Sequence, residues 1–574
     1  MRSLTRRPRA GTLSAGLCAL PVLMLVVLAW RRRWLSDDGF INLRIVENLR
    51  DGYGPVFNPG ERVEAFTSPL WVGLLWVGEL LTPSLDLEPV AILLGVASAA
   101  LGLAAGTYGA WRVWDRAGRG PILPFGAVAV AAVAPVWDYS TAGLDTALAF
   151  AWLGLAFLCM TLSLDRRRWV AGIAVLLGLG PLVRPDLALF ALAFLGLLIL
   201  RSPGRGLRRA ALPLACAAAI PVAYQLFRMG YFATLVPNTA LAKSAGQSSW
   251  DRGWAYTWDF VADFWLFVPL LAFAGAVAVL VRDLIARGDR EAIALVVVTE
   301  ACALLHVVYV IRLGGDWMHA RMLLPDLFAL ALPVMVVRVR AALVPALAAV
   351  AVWSGFGLVS LRASELQGPY YVEDVRIRFV DFVSDSNPVR LRDFARAPQY
   401  EGGVRLRDRA RAHREVVIAT VVLPNRSNPT VPARRSTRWP VVAHFHAIGI
   451  AGYAAGPRVY IADAFGLADP IGSRLPAIDR RRAGHEKLMG ADWVLGRFAV
   501  PGATTPGTNP ARVVAARRAI RCGPLARVDR AVTSRLTWGR FWSNVGEAWR
   551  LRWLRIPQDP REAAARWCSR PKSR

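Results

Sequence analysis

Over its first 361 residues the chain alternates between long apolar runs and short segments that carry arginine. The runs fall at 13–30, 88–110, 121–136, 142–164, 169–183, 186–201, 210–227, 260–281, 291–311, 322–336 and 341–361. A helix crossing a bilayer needs about 20 residues at 1.5 Å each. Each run therefore predicts a spanning helix, the shorter ones with help from flanking residues. One more run, Pro69 to Leu81, has only 13 residues.

Charge decides what that short run is. If it crossed, the arginine-bearing loops 111–119, 201–209, 282–290 and 337–340, with Arg166 to Arg168, would lie outside. If it is re-entrant or interfacial, all of them lie inside, as the positive-inside rule asks. The first run follows a basic head (Arg2, Arg6, Arg7, Arg9) and lacks a small-residue cleavage site before Arg31, so it reads as an uncleaved helix. The prediction is eleven spans with the N-terminus inside. Residues 362–574 then lie outside, as do loops 31–87, 137–141, 228–259 and 312–321 and the hairpin Arg184–Pro185–Asp186.

Beyond residue 361 the composition becomes that of a soluble domain. Val416 to Val422 and Val459 to Ala462 read as buried strands, which predicts an α/β domain. Composition agrees with the division: 55% of residues are hydrophobic and the formal charge is +28, with mean hydropathy +0.37. The positive charge is spread over loop ends rather than gathered on a soluble face, which sets nucleic-acid binding aside. Cys18, Cys159, Cys216 and Cys302 lie in spans as small packing residues. Cys522 and Cys568 lie in the outer domain, where a disulfide is permitted.

Unusual polar residues collect on the outer loops. Charge beside a bilayer is costly and commonly functional. Asp37 and Asp38 follow the first span directly; one of them could cap the next helix, and a carboxylate there also suits a base in glycosyl transfer. A leaving phosphate would need cations, and Arg184, Arg228, Lys243, Arg312 and Arg321 are on the same face. Lys243 is the only lysine of the membrane half. In the block Gly314–Arg321, Asp316 and His319 are spaced to share a helix face, with Arg321 or Arg312 a ligand for phosphate. A divalent cation held by His319 and carboxylates remains open, and no organic cofactor is expected.

Asp37-Asp38-Gly39-Phe40-Ile41 through Asn48, followed by Gly54 to Ser68, resembles the first outer loop of GT-C glycosyltransferases. Further stretches narrow this to the terminal β(1→2)-arabinofuranosyltransferase family of actinobacteria. These are Val183 to Asp186, Ala223 to Tyr231, Val236 to Lys243, Arg312 to Arg321, Phe465-Gly466-Leu467, Gly484 to Lys487 and Phe541 to Asn544. The Asp-Asp loop alone is shared with mannosyltransferases; the Gly-Gly-Asp-aromatic-Met-His and Pro-x-Thr-Ala-Leu-Ala-Lys blocks are the narrower signals. The chain departs in carrying Asp145 and Asp186 where the family would have Glu.

The resemblance implies a GT-C transmembrane catalytic domain over 1–361 and an extracytoplasmic domain over 362–574 that binds carbohydrate acceptor. It implies transfer of D-arabinofuranose from decaprenyl-phosphoryl-arabinose to arabinan ends of arabinogalactan or lipoarabinomannan in the cell envelope. Asp37 and Asp38 would be catalytic. Arg184, Arg228, Lys243, Arg312 and Arg321 would bind donor phosphate, and Asn58, Glu64, Thr67, Asp316 and His319 would bind substrate. Donor and product would share the β configuration, so the reaction would retain. The alternatives are a transferase using polyprenyl-phosphate-mannose and a lipid-sugar transporter. A transporter would need a polar path through the spans, and the charges here gather at the outer ends.

Overall fold

The computed structural model describes residues 9–165, 169–202, 206–363, 368–412, 415–421 and 429–568. Arg2, Arg6 and Arg7 of the basic head, Arg166 to Arg168 and the last residue of the expected strand, Val422, lie outside them. The chain divides into two compact units. One comprises residues 1–34, 91–221 and 249–376; the other comprises 35–90, 222–248 and 377–574. By contacts, residues 35–90 and 222–248 group with 377–574, and 362–376 group with the first unit.

Among the described residues, six helices are long and apolar enough to cross a membrane: Leu87–Ala117, Thr146–Leu164, Arg208–Phe232, Phe267–Ala286, Arg290–Leu313 and Ala341–Val359. Gly16–Arg31, Pro69–Leu81, Val170–Val183 and Leu324–Val334 are shorter apolar helices. Two expected spans are interrupted. The run 121–136 becomes a strand, Ile122–Pro124, then helices Gly126–Ala131 and Ala134–Tyr139. The run 322–336 becomes Leu324–Ala331, a 3-10 turn and a strand, Val336–Arg338, which pairs antiparallel with Ile122–Pro124. Pro124, Pro135 and Pro333 lack an N–H and break the helical ladder. Within the first unit, helices approach through small residues. A Cβ on Gly154 would collide with the backbone of Gly102, and one on Gly178 with that of Ala217, the packing by which apolar helices associate without hydrophobic drive.

The second unit holds a four-stranded sheet in the order Val431–Pro432, Val416–Val421, Val441–Phe445, Val459–Asp463. The last three run parallel and the first antiparallel. Both strands read from the sequence are present, and the α/β character with them. Helix Gly449–Ala455 connects two adjacent parallel strands. Val417, Val442, Tyr460, Trp493 and Leu525 are buried in its core. Cys522 and Cys568 are disulfide-bonded, with Cα atoms 5.3 Å apart.

The segment that contains Arg44 and Asn58 is tied into this sheet by buried polar groups. The Asn58 amide donates to Ile461 O at 3.0 Å and accepts from Ile461 N at 3.1 Å, so it continues the ladder beside the edge strand. Arg44 is buried and donates to the carbonyls of Phe57, Gly452 and Val459. Burial pulls its guanidinium pKa down to about 9. Those carbonyls are the partners a buried charge requires.

Candidate functional site

The carboxyl ends of parallel strands are where α/β sheets place ligands. In the second unit, Asp37 and Asp38 come to that edge. Ser36 Oγ accepts the Gly39 N–H at 3.0 Å and caps helix Asp37–Arg50 itself, so neither aspartate is needed as its cap. Asp37 caps a different helix. Its carboxylate accepts from Gly449 N at 3.1 Å and Ile450 N at 2.8 Å, at the start of the helix that follows strand Val441–Phe445. Burial, with the neighbouring charge of Asp38, pushes the Asp37 carboxyl up to about 6 against the two backbone bonds that favour its ionised form. Asp38, one residue on, is half-buried.

The next strand ends at the same edge. Asp463 closes it and accepts from Phe465 N and Ala468 N at 2.9 and 2.8 Å; burial pushes its carboxyl to about 7. The Asn238 amide donates to Gly466 O and Leu467 O, both at 2.9 Å. That fixes the short helix Asn238–Ala242, whose last turn carries Lys243. Lys487 donates to Leu241 O at 2.7 Å and holds the same helix from below. Around the turn after the strand, the His446 ring stacks on Phe465 at 4.9 Å and the His485 ring meets its edge at 4.5 Å. His446 Nε2 has no hydrogen-bond partner among the described residues.

Other expected site residues of this unit are engaged in structure. Glu64 is buried and binds Arg228 at 2.7 Å and the Tyr224 hydroxyl at 2.6 Å. Thr67 shares a hydrogen bond with Thr239 at 3.0 Å. Lys243 has no ion pair among the described residues.

The first unit carries a separate set. Arg184 pairs with Asp186 at 2.6 Å. His306 then bridges Asp186 at 3.0 Å and Asp326 at 2.7 Å, a buried charged cluster in apolar helices. Arg321 binds Asp316 at 2.6 Å. His319 binds Asp259 at 2.5 Å rather than standing on one helix face with Asp316. Asp259, Asp263 and His319 offer ligand atoms within 4.8 Å of one another and could hold a metal ion. Arg312 is exposed at the end of helix Arg290–Leu313.

Sequence reading passed over Arg44, Asp259, His306 and Asp326. A histidine and an aspartate inside apolar runs were the available signal for His306 and Asp326.

Residues 421–566 match the family model described as the AftB family C-terminal domain. A terminal beta-(1->2)-arabinofuranosyltransferase of Corynebacterium glutamicum is 33% identical, over 93% of this chain and 84% of that protein. The chain belongs to this family. A second terminal beta-(1->2)-arabinofuranosyltransferase, from Mycobacterium tuberculosis, is 31% identical over 93% of this chain and 94% of its own. No solved structure matches. As a member of the terminal arabinofuranosyltransferase family the protein is a glycosyltransferase, and its six long apolar helices mark it as membrane-embedded. The family model covers Asp463 to Lys487, while Asp37, Asp38, Asn238 and Lys243 lie outside it.

Proposed function

We propose that this enzyme transfers D-arabinofuranose from decaprenyl-phosphoryl-arabinose to the ends of arabinan, forming a β(1→2) linkage on the outer face of the cell membrane. The carrying observation is the placement of the aspartate pair: Asp37 is held by the helix start at Gly449 and Ile450, which presents Asp38 beside it at the carboxyl edge of the sheet. Asp38 is the base. The carbon–phosphate-oxygen bond breaks with its electron pair on the polyprenyl phosphate, the acceptor oxygen bonds to the anomeric carbon on the face the phosphate leaves, and the acceptor proton passes to the Asp38 carboxylate. Lys243, at the same edge and without a carboxylate partner among the described residues, receives that phosphate. The rings of His446, Phe465 and His485 offer flat apolar faces to acceptor sugars.

Arg228, committed to Glu64, shapes the site rather than binding phosphate first. Retention of the β configuration would require either a covalent enzyme intermediate or entry of the acceptor on the face the phosphate leaves. An outer placement of the C-terminal part is supported by the disulfide Cys522–Cys568, since such bonds persist in oxidising compartments.

The test supplies membranes carrying the enzyme with radiolabelled polyprenyl-phosphate sugars. Label from the arabinose donor should appear in a terminal β(1→2) residue on an arabinan oligosaccharide. Transfer from the mannose donor with none from the arabinose donor would overturn the reading.

A further inference from the structure

Helix Trp538–Arg550 carries a face that water does not suit. Trp538, Trp542 and Trp549 are 79%, 56% and 54% exposed, and Trp553 just beyond the helix is 75% exposed. Spacings of four and seven residues bring the three helical tryptophans onto one stripe, since a turn holds about 3.6 residues. Asn544, Glu547 and Ala548 are buried on another side. Four indoles left open together on a folded surface require an occupant.

Three observations point to one. First, the helix is anchored on the last turns of an apolar helix, residues 222–232, which belong to the same unit. Asn544 donates to Gly230 O at 3.0 Å, and Phe541 lies where a Cβ on Gly230 would go. Gly230 is two residues from the end of the span Arg208–Phe232, whose Val222 and Leu226 are themselves exposed. The tryptophans therefore sit at the level where a membrane-crossing helix ends. Second, the side chain is tryptophan, with an apolar body and one N–H donor, the residue enriched where hydrocarbon meets headgroups. Third, the flanks are basic. Arg535, Arg540, Arg550, Arg552 and Arg555 accompany a single acid, the buried Glu547. The Arg552 guanidinium lies 5.7 and 5.8 Å from the rings of Trp549 and Trp553.

We infer that helix 538–550 and the turn to Trp553 form an interfacial docking element for a lipid bilayer. The indoles lie among the headgroups and upper acyl chains, and the arginines pair with anionic lipid phosphates. A soluble protein or a second copy of this chain is the alternative occupant that the experiment separates.

The full chain, with Cys18, Cys159, Cys216 and Cys302 replaced and the disulfide kept, is reconstituted in vesicles of equimolar phosphatidylcholine and phosphatidylglycerol. A spin label is placed at Trp542→Cys or Trp553→Cys, with Ser543→Cys, exposed and turned away from the stripe, as the reference. Labels at 542 and 553 should be relaxed more by oxygen than by a water-soluble nickel chelate, and the label at 543 the reverse. Equal access of the chelate to all three would overturn the inference and leave the stripe to a protein partner. A wild-type measurement stands apart from any folding defect: a photoactivatable phosphatidylcholine should cross-link to the peptide 538–553. Labelling of the spans with none on that peptide would equally overturn it.

Discussion

Gly449 carries no side chain because the carbonyl oxygen of Asp37 occupies the place its Cβ would take. The backbone of one residue and the first turn of the other fit without a gap, and the Asp37 carboxylate, which accepts the Gly449 N–H, crowds the same place. Gly449→Ala should therefore cost on the order of 1–3 kcal/mol of stability through overpacking and should lower turnover by displacing the aspartate pair. Melting of the purified enzyme with a transfer assay measures both; an alanine variant unchanged in each would show that the close fit is dispensable.

The two aspartates should separate in their effects. Asp38→Ala should cut turnover by about 10²–10⁴, the usual worth of a general base, and leave melting where it was. Asp37→Ala strands two buried N–H groups and should also lose about 1–3 kcal/mol of stability. Equal melting of the two variants would contradict the division of roles.

Acidity gives a third readout. The Asp37 carboxyl rises from 3.8 to about 6 on folding, so the folded state holds this proton more tightly than the unfolded chain. Its contribution to stability is complete below 3.8 and is lost as pH climbs through about 6. The stability of the wild type relative to Asp37→Asn should thus decline from about pH 4 to about pH 7. A rise across that window would mean that the bonds from Gly449 and Ile450 outweigh burial.

Arg228 and Lys243 should part in the same way. Arg228→Ala leaves Glu64 buried without its cation and should cost about 3–5 kcal/mol, with Arg228→Ala plus Glu64→Gln recovering part of the loss. Lys243→Ala should leave melting intact and raise KM for the lipid donor far more than KM for the acceptor. Unchanged donor KM would remove Lys243 from the phosphate site.

The apolar helices were legible because a bilayer demands continuous runs, and the strands Val416–Val421 and Val459–Asp463 because valine and isoleucine cluster there. The breaks at Pro124 and Pro333 fell inside runs whose mean hydropathy hid them. Asp37 and Asp38 stood out by position, yet no local spacing reveals that Asp37 caps a helix 412 residues away. Nothing in the sequence singles out Arg44, and the distant carbonyls of Gly452 and Val459 account for its burial. Asp316 and His319 were spaced for one helix face, but the glycines before them end the helix, with Gly314 at φ 90°, and each turns to its own partner.

The scattered origin of the second unit sets a timetable for its biogenesis. At about 5–20 residues per second of synthesis, Asp37 leaves the ribosome roughly 20–80 s before Gly449, 412 positions later. Throughout that interval Arg44 lacks the carbonyls of Gly452 and Val459, and Asn58 the peptide groups of Ile461, that will hold them in the finished unit. Nascent chains of this enzyme consequently carry the proposed base long before the helix start that holds its neighbour Asp37 has been made.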